Sequence, residues 1–133
     1  MANKLFPKGA EKMLRASINF DTDTLKVALV SSTYTYSAAH EFLSDLGTTV
    51  GTAQTLGGKS TTGGVFDAND ADFGALAPGN TIKAAAIYKD TGSPTTSPLI
   101  AYLDEITGFP LATNGGAVTI PWSNGALKIM SMV

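Results

Sequence analysis

From residue 48 onward the chain is a succession of short runs rich in Val, Ile, Thr and aromatic residues, each closed by Gly, Pro, Asn, Asp or Ser within a few positions. No window there is long enough for a packed helix, and turn signals every ~8–12 residues are the pattern of a β-sandwich or closed barrel. "TTVGTAQTL" is extended and "GGKSTTGG" is a loop. "VFDANDADFGAL" reads as two short strands around an Asx-rich turn. "TIKAAAIYK" (81–89) and "SPLIAYLDE" (97–105) are the strongest later strands, joined by "DTGSPTT". "GAVTIPW" (116–122) puts Val118, Ile120 and Trp122 on one face, and Pro121, which cannot donate to a ladder, marks an edge. "ALKIMSM" closes the chain.

Upstream, "LKVALVSS" (25–32) is a strand with Leu25, Val27 and Leu29 on one face, and "SINF" is a short strand before it. Residues 36–47 switch period: Ala39, Phe42, Leu43 and Leu46 stand at i, i+3, i+4 and i+7, between Ser37 and Gly47 as caps. This predicts a short amphipathic helix over about 38–46. "FPKGAEKMLRA" is a second short helix, with Pro7 at its first position. The expected architecture is therefore all-β: a jelly-roll-like sandwich over 16–133 with one inserted helix, preceded by a basic arm over 1–15.

A length of 133 residues suits one domain. With no cysteine there is no disulfide or thiolate metal site. The net charge is −2, so no general nucleic-acid affinity is expected. The charge is uneven: Lys4, Lys8, Lys12 and Arg15 against Glu11 give the arm +3 and leave −5 for the rest. No apolar run approaches the ~20 residues of a membrane span, and the first residues lack the apolar core of a secretory signal. Charged residues are 15% of the chain, well under the usual quarter, which leaves a mild Thr, Ser, Ala and Gly surface suited to contact with other proteins.

Four groupings imitate active sites. His40, the only histidine, has Glu41, Ser44 and Asp45 beside it. Phased by the apolar stripe, these four fall on the polar face of the predicted helix, so periodicity alone accounts for them. "AQTLGGKS" (53–60) fits a loose phosphate-loop pattern, but "TTGGVFDAND" cannot form the helix whose N-terminus such a loop needs. "DTG" (90–92) is the aspartic-protease signature. A dimer could pair two copies of Asp90, although a polar hairpin turn explains the same residues. The aromatic residues alternate with apolar ones as in a core, except "TYTY" (33–36), where Tyr34 and Tyr36 could face a partner or, with Trp122, a carbohydrate. No catalytic group, metal site or cofactor is expected.

Longer phrases carry a resemblance. "KLFPKGAEK", "DTLKVALV" and "YTYSAAHEFLSDL", then "TTGGVFDANDADF", "IYKDTGSPTTSPLIAYLDE" and "NGGAVTIPWSNGALKIM", resemble a family of small virion proteins of tailed bacteriophages over nearly the whole chain. The resemblance implies a structural virion part, some members looking like capsid cement proteins. The resulting expectation is a cement or decoration protein on the capsid surface, made in the host cytoplasm. It would be a homo-oligomer bound to the major capsid protein, with neither membrane nor nucleic acid as partner. A neck or tail component is the alternative in the same class. The expected contact residues are Lys4, Phe6, Lys8, Lys12, Met13 and Arg15 of the arm, with Tyr34 and Tyr36.

Overall fold

The computed structural model describes residues 4–106, 108–120, 122 and 129–131. The chain runs β1 (Lys4–Leu5), α1 (Pro7–Leu14), β2 (Leu25–Ser31), β3 (Thr49–Thr55), β4 (Val65–Phe66), β5 (Ala71–Ala75), β6 (Thr81–Lys89), β7 (Leu99–Leu103), β8 (Leu111–Ala112), β9 (Ala117–Ile120) and β10 (Met130–Ser131). One antiparallel sheet has the order β1-β7-β6-β2-β3, with β8 added to the start of β6. Two ribbons, β4 with β10 and β5 with β9, form the second layer. The fold is an all-β sandwich, as the turn spacing predicts. Its layers are less even than the paired sheets of a jelly roll.

The central strands β2, β6 and β7 are buried on both faces, which explains why they read as nearly unbroken apolar runs. Leu25, Val27 and Leu29 of β2 and Ile82, Ala85 and Ile87 of β6 face the ribbons, in one core with Phe66, Phe73, Ile120 and Trp122. Ala28 and Val30 of β2, with Ala84, Ala86 and Tyr88 of β6, face a second core that contains Phe6, Tyr34, Leu46, Leu99 and Tyr102. The alanines of "AAA" (84–86) on that side leave room for the tyrosine rings above them. Each large side chain so buried stabilises the fold by ~1.5–3 kcal/mol.

Three expectations are corrected. "SINF" forms no strand; the sheet begins instead at β1, which pairs with β7 through Lys4 opposite Tyr102 and Leu5 opposite Ala101. The helix predicted over 38–46 is reduced to a single 3-10 turn, Leu43–Leu46. Its backbone is taken up by the 90–99 hairpin: Leu43 N donates to the Ser97 carbonyl, Ser44 N to that of Pro94, and Leu99 N to that of Glu41. The Asp45 carboxylate accepts the N–H groups of Glu41 and Phe42 at 2.8 and 3.0 Å. Tertiary pairing overrides a marginal helix propensity here.

The third correction concerns the arm: residues 4–15 are built into the sandwich. Phe6 is 0% exposed, and its N–H donates to the Ile100 carbonyl at 2.9 Å. Gly9 lies so close to β7 that a Cβ there would sit 2.2 Å from the Leu99 oxygen. Glycine is thus required by close approach. The helix ends in a Schellman motif, with Ser17 N donating to the Lys12 carbonyl and Ala16 N to that of Met13. The left-handed position, φ +61°, is held by Ala16 instead of the usual glycine.

Candidate interaction face around the N-terminal helix

The structure brings most of the predicted contact residues together but leaves few of them free. Phe6, Tyr34, Tyr36 and Tyr102 form one aromatic cluster, with ring centroids 5.2 Å apart for Phe6–Tyr36, 5.4 Å for Tyr36–Tyr102 and 5.8 Å for Tyr34–Tyr102. Tyr34 is buried, and loss of water pushes its hydroxyl up to about 12. Tyr36 is half-buried, donates to the Leu5 carbonyl at 3.3 Å and carries Lys4 Nζ 4.5 Å above its ring. Of the two candidate apolar anchors, Phe6 is sealed inside, and Met13 packs partly buried against the first core. Phe6 is therefore closed to a partner, and Met13 leaves only part of its side chain in the open.

The cations are similarly committed. Lys12 Nζ is 2.6 Å from Glu41 and 5.2 Å from the Phe42 ring centroid. Arg15 pairs with Glu11 at 2.8 Å, and Lys8 reaches the same carboxylate at 3.9 Å. Beyond α1, Lys26 pairs with Asp90 and Lys89 with Asp23, both at 3.2 Å, while Lys59 and Lys83 donate to the carbonyls of Asp23 and Tyr34. What α1 does offer outward is Leu14, 85% exposed, along with the exposed Lys8 and Arg15.

The imitation sites resolve into local structure. His40 is not on a solvated helix face: its Nδ1 is 2.6 Å from the Tyr34 hydroxyl, so it tethers the 34–42 segment to the aromatic cluster. Glu41 turns to Lys12, and Asp45 caps the 3-10 turn, its carboxyl held below the usual range by the Phe42 N–H and then the Glu41 N–H. Asp90 accepts from Gly92 N at 3.0 Å, which lowers its pKa, as does its ion pair with Lys26. Lys59 is followed by a 3-10 turn, Thr62–Gly64, and then β4. Trp122 is buried, donating through its indole N–H to the Asn69 carbonyl at 2.9 Å. Pro121 lies outside the described residues. Among the described residues there is no group of three or more His, Cys, Asp or Glu side chains placed to hold a metal, and no helix is long and apolar enough to cross a membrane.

No family model, curated protein or solved structure matches the chain.

The sequence reading missed a cleft of about 150 Å³ on the second-core side of the sheet, lined by Ala28, Leu43, Thr49, Ala53, Tyr88 and Pro94. Its walls come from five separated stretches, so no local pattern announces it.

Proposed function

We propose that this chain is a structural virion protein of a tailed bacteriophage: a cement or decoration protein that binds the major capsid protein as a homo-oligomer and stabilises the head. The observation that carries the reading is how the charge is spent inside the molecule. Every described lysine and arginine is engaged by its own chain: in an ion pair (Lys8, Lys12, Arg15, Lys26, Lys89), on a backbone carbonyl (Lys59, Lys83) or over a ring (Lys4). Beyond these engaged cations the exposed surface is mostly Thr, Ser, Gly and Ala, with a few acidic residues such as Asp21, Asp70 and Asp72. Interface centres are depleted of charge in the same way, and a shell that repeats the contact many times makes weak apolar and main-chain contacts sufficient. The sequence resemblance points to the same role.

The test is to add purified protein to heads assembled without it, sediment them, and image the decorated heads by electron cryo-microscopy. Co-sedimentation, density at capsomer junctions and a raised head-disruption temperature are expected. Absence of binding, or density confined to the neck or tail, overturns the decoration role.

A further inference from the structure

We infer that the cleft beside β3 is a docking site for an extended, uncharged segment of a partner protein, which adds to the β3 edge and places one aliphatic side chain in the cleft. The inference names the kind of contact the virion reading needs and rests on that reading.

Three observations converge. First, β3 is the last strand of the main sheet and, among the described residues, its strand pairing is with β2 alone, while β5 packs against it on the first-core side, opposite the cleft. Unpaired edges are usually defended by charge, proline or a bulge. Here a bulge is present between Val50 and Gln54, but from Leu46 to Gly58 there is neither a charged residue nor a proline. A charged peptide would find no counter-ion along this stretch, whereas an uncharged one loses nothing by lying there.

Second, the cleft reaches this strand. Its floor crosses three neighbouring strands, Tyr88 of β6, Ala28 of β2 and Ala53 with Thr49 of β3. Leu43 and Pro94 form an apolar wall. A strand added at an edge presents alternate side chains to one face of the sheet, and pockets for them give such complexes their specificity. At about 150 Å³ the cleft takes one side chain and not a cofactor.

Third, Tyr88 is only 3% exposed, yet its hydroxyl has no hydrogen-bond partner among the described residues. Unlike the Tyr102 hydroxyl it is not sealed from solvent. A phenol that lines a cleft with its O–H open to water can exchange that water for a main-chain carbonyl of the added segment.

The experiment uses the isolated chain and a blocked peptide of alternating threonine and valine with one central leucine, followed by amide chemical shifts. Saturable binding is expected, with shifts confined to residues 26–30, 43–55 and 86–94. Ala53→Arg, which puts a charge across the half-exposed floor, should abolish it; Tyr88→Phe should weaken it about 5-fold, a neutral hydrogen bond's worth. Retained melting temperatures show that both variants fold. No saturable binding, shifts elsewhere, or undiminished binding by Ala53→Arg overturns the inference. So does self-association that Ala53→Arg removes, since the occupant would then be a second copy. Peptide binding without head association sinks the virion reading and leaves the edge site standing; head association that Ala53→Arg leaves intact does the reverse.

Discussion

Gly9→Ala sets two effects of known size against each other. In an exposed helix the change should stabilise by about 1 kcal/mol, because alanine loses less conformational entropy than glycine. In this helix the new methyl would meet the Leu99 oxygen at 2.2 Å, the Ile100 Cα at 3.0 Å and the Leu99 carbonyl carbon at 3.1 Å. All three are backbone atoms, so no side chain can rotate aside. Restoring ordinary contact, ~3.5 Å, means moving α1 about 1 Å or more off β7. That movement strains the Phe6 N–H to Ile100 bond and loosens the packing around the Phe6 ring. Overpacking of this kind costs ~1–3 kcal/mol and occasionally more, so a net loss of about 2 kcal/mol is expected from a total stability of ~5–15. Urea denaturation measures it, with Lys8→Ala, on the exposed side, expected within ~0.5 kcal/mol of wild type. A Gly9→Ala protein more stable than wild type would refute the docking of α1 on β7.

Ala16→Gly should stabilise by about 1 kcal/mol in the same assay, since Ala16 holds a left-handed conformation that costs an L-residue ~1–2 kcal/mol; an unchanged midpoint would argue against the Schellman end. His40→Ala should cost about 1–2 kcal/mol, because it leaves the buried Tyr34 hydroxyl without its partner; a silent change would return His40 to a solvated surface. The carboxyls of Asp23, Asp45 and Asp90 are all held below 3.8, chiefly by backbone N–H groups of Asn19, Phe42 and Gly92 respectively. Their contribution is complete above the ordinary carboxylate range and is lost as pH falls through the depressed values, so urea midpoints should drop below about pH 4. Midpoints that stay level or rise on acidification would contradict this.

The strands were legible where burial is continuous. β6 and β7 are apolar at nearly every position because both faces are covered, and β9 showed its alternation directly. The N-terminal helix was legible from Pro7 and the apolar spacing. What it packs against was not: nothing local in "KLF" says that Lys4 and Leu5 pair with residues near 101, and basic residues beside Phe6 and Met13 look the same whether the apolar pair faces a partner or the chain's own sheet. The 38–46 segment misled for a related reason. Leu43 and Leu46 do face a core, but the hydrogen bonds that a helix would keep internal go to the 90–99 hairpin. The aromatic cluster was half legible, since core packing was the reading of Tyr102 and not of Tyr34.

The pairing of Lys4 with Tyr102 also orders events in time. β1 is made long before β7 and cannot take its place until β7 has left the ribosome, and joining them closes a loop of about a hundred residues, an entropic cost that only a preformed β7–β6–β2 surface can offset. Docking of the first strand and helix therefore belongs after the rate-limiting step, and folding should be slow for a chain of this size. Phe6→Ala should accelerate unfolding while leaving the refolding rate nearly unchanged, a φ-value near zero. A fall in the refolding rate in step with stability would put the N-terminus in the nucleus instead.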